Sequence, residues 1–206
     1  MKLFYPVIHV VDVLKSIDNI KIAIDSNADG VFLISHKLPP NKFIRLADGI
    51  RIMFPEIWMG INVLDNDNEK ILNKLPFGFD GYWSDNIFKN TDLIHSKVEK
   101  YFGGFAFKYQ KEVVSIEDEV KDVLPFVDCL TTSGDATGFP PNIEKIKRIR
   151  NAVGTKPIAI ASGICSANVE SFQDADVFLV ASSIGKSFTE LDFVKTNELS
   201  KIIHRM

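Results

Sequence analysis

Residues 133–138, with the sequence SGDATG, are the part of the chain whose residue types most clearly suggest chemistry. Asp135 could serve there as a catalytic acid, as a base or as a ligand for a hydroxyl group. The apolar run 127–132 before the loop predicts a buried strand, and the segment 143–153 after it predicts an amphipathic helix that Gly154 ends. Because ligands bind at the carboxyl ends of strands in α/β proteins, we expect this loop to lie at the centre of a binding site.

Two later loops consist largely of small residues, namely ASGICSAN at 161–168 and ASSIGKSF at 181–188. Small side chains allow backbone N–H groups to approach an anion, and a helix N-terminus behind such a loop adds partial positive charge. We therefore predict that Ser162, Gly163, Ser182 and Ser183 bind a phosphate group. The alternative is that these residues are small only because the strand ends pack closely.

Other polar side chains stand at the ends of predicted strands. His9 ends the first strand and His36 follows the second, where a histidine is either catalytic or simply hydrogen-bonded within the fold. Asn62 could orient a carbonyl or hydroxyl group or tie down its own turn, and Asp85 could transfer protons. Burial could lower the pKa of Lys108 enough for Schiff-base or general-base chemistry, although its side chain could equally reach solvent.

Composition excludes several classes of protein. A chain of 206 residues with 46% hydrophobic residues is long enough for one domain with a single core, and its net charge of -3 gives no basic surface for nucleic acid. The two cysteines form no CxxC motif and indicate a reducing compartment. The N-terminus resembles a strand rather than a signal peptide, so we expect a cytoplasmic protein without membrane segments. The histidines are scattered, which predicts no metal site and no cofactor.

Strand-like and helix-like segments alternate along the whole chain. Strand starts recur about every 25 residues, which is typical of a single-domain (βα)8 TIM barrel. The alternative is an open doubly wound sheet, but the GxGxxG motif expected after its first strand is missing. The predicted strands are 4–10, 30–35, 57–64, 80–84, 102–108, 127–132, 157–161 and 177–181, each followed by a helical segment. The helices include 92–101, one that starts at a Ser115/Asp118 capping box, and a last one that starts at a Thr189/Asp192 box.

An even–odd pattern supports the barrel. The second, fourth, sixth and eighth strands are each preceded or opened by an aspartate, in NADGVFL, GFDGYWS, FVDCLTT and DADVFLV. Alternate strands of a TIM barrel supply alternate layers of its interior, so we expect this pattern to have a structural cause.

Several segments resemble the BtpA family. They are VIH at 7–9, ADGVFLI at 28–34, GINVLDND at 60–67, the specific stretch 131–169, and VASSIGKSF at 180–188. The resemblance implies a barrel of the ribulose-phosphate-binding type, related to phosphoribosylanthranilate isomerase and the tryptophan synthase α subunit. It implies site positions at His9, Asn62, Gly134, Thr137, Gly138, Ser162, Gly163 and Ser183, with the glycines, Thr137 and the serines at the phosphate. Two segments depart from the family, VVDVLKS after the first strand and YWSDN at the fourth.

We therefore expect an enzyme that acts on a small phosphorylated metabolite, such as a sugar phosphate or a phosphoribosyl compound. Isomerisation, lyase chemistry and glycosidic-bond cleavage all fit, with proton transfers by His9, Asp85 and Asp135 and with Lys108 as electrophile or base. The alternative is a non-catalytic barrel that binds a phosphorylated ligand or assists the assembly of a partner complex. The expected partner is a small phosphorylated ligand, with neither nucleic acid nor membrane, and a homo-oligomer is possible.

Overall fold

The computed structural model describes residues 1–65, 67–108, 110, 113–136 and 138–206. Eight parallel strands pair in sequence order, and the eighth pairs back onto the first through contacts such as Tyr5 with Leu179. This closed barrel confirms the predicted fold and is not the open sheet considered as the alternative. The strands are β1 Leu3–His9, β2 Val31–Ile34, β3 Met59–Asn62, β4 Gly81–Ser84, β5 Lys100–Gly104, β6 Cys129–Thr132, β7 Ile158–Ile160 and β8 Val177–Val180.

Seven α-helices surround the barrel in the described part of the chain. They are α1 Val13–Asp25, α2 Pro40–Met53, α3 Asn68–Lys74, α4 Thr91–His95, α5 Ile116–Val123, α6 Ile143–Val153 and α7 Phe193–Ile203. The prediction of a helical segment after β7 is wrong, because only one 3-10 turn, Val169–Ser171, forms there. Asn168 explains this, since its side chain bonds the backbone of Cys165 and Gly163 and so competes with helix formation.

Aromatic side chains fill the amino-terminal half of the barrel. Tyr5 and Trp58 stack there with ring centroids 4.5 Å apart. Two glycines make the room for this packing. A Cβ atom at Gly60 would lie 2.3 Å from the ring of Phe32, and one at Gly81 would lie 2.5 Å from the ring of Trp58. Aromatic side chains therefore pack closely in this half of the barrel.

The aspartates before the even strands share one role at the amino-terminal end of the barrel. Each carboxylate accepts a hydrogen bond from a backbone N–H of the preceding odd strand, which satisfies a donor at the start of that strand. The pairs are Asp29 with Phe4, Asp80 with Met59, Asp128 with Tyr101 and Asp176 with Ile158, at 2.7, 2.7, 2.7 and 2.9 Å. Each also contacts a basic side chain near a helix end, namely His204, Arg51, His95 and Arg150 in the same order. The even–odd pattern thus comes from this repeated contact rather than from interior layers.

Strand β5 begins and ends earlier than predicted. It spans Lys100–Gly104 rather than 102–108, and α4 ends at His95 rather than at residue 101. A Cβ atom at Gly104 would lie 2.1 Å from the carbonyl oxygen of Asp85, so the two backbones are in contact there. Ala106 then takes a left-handed conformation, with φ of 46°, which turns the chain away from the barrel. Lys108 accordingly lies in a loop.

A β-hairpin follows β8, where the sequence predicts only a loop before the last helix. It consists of β9 Gly185–Ser187 and β10 Glu190–Leu191. The buried Asn19 fixes it by donating to the carbonyl of Thr189 at 2.9 Å and accepting from the N–H of Leu191 at 2.8 Å. Asp192, not Thr189, caps α7, because its side chain accepts the N–H of Lys195. The Thr189 part of the predicted capping box is therefore wrong.

The helices in the described part of the chain are too short or too polar to span a lipid bilayer.

Candidate active site

A cavity of about 830 Å³ opens at the carboxyl-terminal end of the barrel. Parallel strands point their carboxyl ends to the same side, so the loops after most strands contribute to it. Four of the five predicted catalytic residues lie in it or beside it, since His9, Asp85 and Lys108 line the cavity and Asn62 contacts Asp85. Four of the polar groups predicted from strand ends therefore lie together at this cavity.

His9 lies on one wall of this cavity between two other rings. Its imidazole stacks on Phe188 with centroids 4.0 Å apart and lies 5.1 Å from the ring of His36. Burial lowers the pKa of His9 from its ordinary 6.5 to about 4, and the nearby charges of His36 and Lys108 act in the same direction. Burial also lowers the pKa of His36. His9 is therefore neutral at pH 7, and its buried Nδ1 has no hydrogen-bond partner among the described residues.

Asp85, which follows β4, lies across the barrel from the loop after β8. Its Oδ1 accepts a hydrogen bond from the side-chain amide of Asn62 at 3.2 Å. Burial raises the pKa of Asp85, although the bond from Asn62 and the charges of Lys108 and His36 oppose that rise. A carboxyl group with a raised pKa and a neutral histidine in the same cavity are a combination that suits proton transfer.

Sequence reasoning missed Gln110, which holds Asp85 in place from the loop after β5. Its side-chain amide donates to the carbonyl oxygens of Asp85 at 2.6 Å and of Gly104 at 3.0 Å, and its Oε1 accepts the N–H of Phe107 at 2.9 Å. Lys108 lies between Phe107 and Gln110 in the same loop, and its backbone N–H donates to the hydroxyl of Ser133 at 2.7 Å. No sequence signal marks such a glutamine, because its importance comes from the path of the loop.

The loops after β7 and β8 present backbone donors on the other side of the cavity. The N–H groups of Gly163, Ile164, Ser182 and Ser183 have no acceptor within the described part of the chain. The hydroxyl of Ser183 donates to the carbonyl of Ile164 at 2.5 Å, which links the two loops. All four residues line the cavity. Grouped N–H donors of this kind suit an anion.

The helix N-termini expected directly behind these two loops are not found in the described residues. Strand β8 leads into a single 3-10 turn, Ser182–Ile184, and then into the hairpin. The loop after β7 leads only to the turn Val169–Ser171. That part of the prediction is wrong, and attraction for an anion must come from the N–H groups themselves.

Ser162, Gly134 and Gly163 hold the central loop against the loop after β7. The hydroxyl of Ser162 accepts the N–H of Gly134 at 2.7 Å and donates to the carbonyl of Phe139 at 2.9 Å. A Cβ atom at Gly134 would lie 2.2 Å from that same carbonyl oxygen, and one at Gly163 would lie 2.0 Å from the backbone nitrogen of Pro140. These residue types are explained by close packing, and phosphate binding by Ser162 and Gly134 stays a prediction.

The rest of the central loop divides between two hollows. Asp135 is exposed and lines a neighbouring groove of about 610 Å³, together with Lys145 and Arg148, and this groove shares Phe107 and Lys108 with the cavity. Burial lowers the pKa of Lys145, whose ammonium group donates to the carbonyls of Ala106 and Ser133. The structure therefore does not bring Asp135 to the cavity that holds His9. Gly138 does line that cavity, with φ of 85°, and Thr137 lies outside the described residues.

Three aromatic residues that line the cavity were not predicted as site residues, namely Trp83, Phe107 and Phe188. Trp83 belongs to an unusual Tyr-Trp pair in β4 that sequence alone could assign either to the pocket or to the barrel core. In the part of the chain that the structure describes, no group of three or more His, Cys, Asp and Glu side chains is placed to hold a metal ion.

Comparison with known proteins gives a family and a group of similar folds. The sequence profile of the BtpA family matches residues 76–206. No curated protein matches the sequence. The phosphoribosyl anthranilate isomerase of Thermus thermophilus has a similar structure, with a TM-score of 0.69 and 11% identity over 100% of this chain and 99% of that one. The tryptophan synthase α subunit of Legionella pneumophila is also similar, with a TM-score of 0.69 and 12% identity over 100% of this chain and 94% of that one.

A third similar structure was solved with a phosphorylated substrate. It is the (S)-3-O-geranylgeranylglyceryl phosphate synthase of Thermoplasma acidophilum in complex with sn-glycerol-1-phosphate. The TM-score is 0.64 and the identity 10%, over 100% of this chain and 94% of that one. At such low identities these likenesses establish the barrel fold alone.

Proposed function

Because this chain belongs to the BtpA family, we propose that it is an enzyme that acts on a small phosphorylated metabolite at the carboxyl-terminal end of its barrel. The metabolite is a sugar phosphate or a phosphoribosyl-type compound, and the reaction is an acid–base isomerisation or lyase reaction. One observation carries the proposal: a single cavity contains both the unbonded N–H groups after β7 and β8 and Asp85.

The phosphate group is anchored by the N–H groups of Gly163, Ile164, Ser182 and Ser183. Hydrogen bonds to a charged group each contribute roughly 1.5–3 kcal/mol, so a few of them suffice for recognition. Two of the three similar barrels described above have a phosphorylated compound in their names or with them in the crystal, which supports this class of ligand.

Proton transfer falls to Asp85 and His9. The raised pKa of Asp85 suits it to give a proton to the substrate as an acid. His9 is neutral near pH 7 and is suited to accept one. Asn62 orients the carboxyl group of Asp85, and Lys108 stands beside both groups as electrophile or base.

A thermal-shift screen of phosphorylated metabolites against their dephosphorylated counterparts tests the proposal. A ligand at 100 times its Kd adds about 2.7 kcal/mol to the stability of the native state. For a domain of this size that corresponds to a rise in Tm of roughly 5–11 °C. Removal of the phosphate should abolish most of the rise, and so should Ser183→Asp, which places a negative charge among the N–H donors.

Ser171→Asp is the matched control, because Ser171 is an exposed residue of the 3-10 turn Val169–Ser171 and does not line the cavity. It should leave the ligand-induced shift unchanged. Equal shifts by phosphorylated and dephosphorylated compounds would contradict the phosphate site. 31P NMR then shows whether the protein converts the bound compound, which distinguishes an enzyme from a barrel that only binds its ligand.

A further inference from the structure

Two groups of aromatic rings face each other across the 830 Å³ cavity. His9, His36 and Phe188 form the first group, with Phe188 4.0 Å from the ring of His9 and 5.8 Å from that of His36. Trp83 and Phe107 form the second group, with ring centroids 6.1 Å apart. His9 ends β1 and Phe107 follows β5, and these two strands are diametrically opposite in a closed barrel of eight. The space between the two groups therefore has aromatic residues on two opposite sides.

The rest of the lining is also mostly apolar. Besides the aromatic rings it includes Val7, Ile34, Leu64, Ile164, Leu179 and Val180. The hydroxyl of Ser183 already donates to Ile164, and that of Ser162 is bonded to Gly134 and Phe139. Polar side chains that could pair with the hydroxyl groups of a sugar are a minority of the lining, namely His9, His36, Asp85, Lys108 and Ser182. A buried hydroxyl without a partner costs free energy. The lining suits a body with few hydroxyl groups.

The size of the cavity leads to the same class of ligand. Cavities of roughly 300–1,000 Å³ bury drug-sized ligands, and this cavity lies in the upper part of that range. A phosphate at the loops after β7 and β8 leaves the middle of the cavity, between the two aromatic groups, for the body of the ligand. The indole nitrogen of Trp83, a side chain only 5% exposed, has no partner among the described residues.

We propose that the ligand is a phosphate monoester whose body carries a planar aromatic ring, and that this ring lies between Phe188 and Trp83 while the phosphate contacts the N–H groups near Ser183. The inference rests on the proposed function and narrows it. Among phosphorylated metabolites the protein selects ring-bearing compounds over bare sugar phosphates. Phe188, on the hairpin that Asn19 fixes, is the residue that determines this specificity.

Calorimetric titration with four probes tests the inference: benzyl phosphate, ribose 5-phosphate, inorganic phosphate and benzyl alcohol. Benzyl phosphate should bind about tenfold more tightly than ribose 5-phosphate, because its ring contacts the aromatic side chains and it buries no hydroxyl groups; a factor of ten corresponds to about 1.4 kcal/mol. Phe188→Ala should remove most of that advantage and leave the affinity for inorganic phosphate unchanged. Phe77→Ala, at an exposed phenylalanine that does not line the cavity, is the matched control and should change neither affinity.

A fluorescence measurement gives a second readout that does not depend on Phe188. The chain has two tryptophans, so Trp58→Phe leaves Trp83 as the only indole. Benzyl phosphate should change the emission of this variant, whereas inorganic phosphate should not. An unchanged emission at saturating benzyl phosphate would overturn the placement of the ring.

The outcomes separate this inference from the proposed function. If ribose 5-phosphate binds as tightly as benzyl phosphate, the proposal of an aromatic ligand is wrong while the phosphate site stands. The same holds if Phe188→Ala does not weaken the binding of benzyl phosphate. If neither ester nor inorganic phosphate binds, both proposals are overturned. If benzyl alcohol binds as tightly as benzyl phosphate, the phosphate anchor is wrong and both proposals fail in their stated form.

Discussion

The hydroxyl of Ser162 accepts a hydrogen bond from the backbone N–H of Gly134 at 2.7 Å, across 28 positions of sequence. The same hydroxyl donates to the carbonyl of Phe139 at 2.9 Å. Both of its hydrogen-bonding roles are thereby used to fold the central loop onto the loop after β7. Ser162 therefore stabilises one wall of the cavity, whether or not a phosphate also touches it.

Ser162→Ala should lower the free energy of unfolding by about 1–3 kcal/mol, because it leaves the buried N–H of Gly134 without an acceptor. Urea titration measures the change. Ser182→Ala is the matched control, since Ser182 is exposed and its hydroxyl makes no hydrogen bond to the described residues. Equal loss in both variants would show that the link to Gly134 contributes nothing.

The eight strands could be predicted because each is a short apolar run, and because the aspartates before the even strands recur in the sequence. The role of these aspartates could not be predicted, because the hydrogen bond from the N–H of Phe4 to Asp29 joins residues 25 positions apart. The end of β5 was missed for a similar reason. Local sequence at 102–108 suits a strand, but contact with Asp85 at Gly104 and the left-handed Ala106 end the strand early.

Asp29→Ala should destabilise the protein by about 1.5–3 kcal/mol, because the buried N–H of Phe4 loses a charged acceptor and His204 loses its partner. Chemical unfolding of this variant is compared with that of Asp25→Ala. Asp25 is exposed at the end of α1 and makes no side-chain hydrogen bond within the described residues. If Asp29→Ala costs no more than the control, the aspartate contacts do not stabilise the amino-terminal end of the barrel.

The polar groups of the candidate site could be located from sequence because the carboxyl ends of parallel strands meet. His9, Asp85, Lys108 and Ser183 were each read from a strand end, and all four line one cavity. Asp135 was placed there by the same logic, yet the structure puts it in the outer groove, because Ser162 and the glycines fold the central loop outward.

Phe188 could not be identified as a site residue from the sequence, because its position depends on a hairpin after β8 where only a loop was predicted. The hairpin is fixed by Asn19 from α1, a contact across about 170 positions that no local pattern reveals. The wall that determines specificity in our inference is thus the part of the site that local sequence predicts least.

His9 should make stability depend on pH. Its pKa in the folded state, about 4, is below the ordinary 6.5, so the unfolded chain binds more protons between these values. Stability should therefore be full above pH 6.5 and should fall as the pH drops toward 4, by about 1–2 kcal/mol once partial exposure is discounted. Urea titrations at pH 4.5 and 7 should give a smaller difference for His9→Gln than for the parent. Parallel behaviour of the two proteins would rule out a lowered pKa for His9.

Asp85→Asn should stabilise the protein at neutral pH. Burial raises the pKa of Asp85 in the folded state, so its contribution to stability is present at low pH and is lost as the pH rises and the carboxyl group ionises. An asparagine carries no charge to bury, so we expect the free energy of unfolding to rise by about 0.5–2 kcal/mol at pH 7, which is the usual gain from a single stabilising substitution. The gain should shrink toward pH 3.5 in thermal melts. A variant less stable than the parent at pH 7 would contradict the raised pKa.

Lys108 should react with an aldehyde that carries a phosphate group. It lines the same cavity as the unbonded N–H groups near Ser183, so a phosphate bound there presents an aldehyde to its amine. Pyridoxal 5′-phosphate followed by borohydride should leave a reduced adduct on Lys108, identified by peptide mapping. Inorganic phosphate and Ser183→Asp should both decrease this labelling, because each interferes with the anchor. Lys147, an exposed residue of α6 that does not line the cavity, is the internal control and should be labelled equally in all samples. Labelling of Lys108 that follows Lys147 under every condition would remove its proposed role as an electrophile.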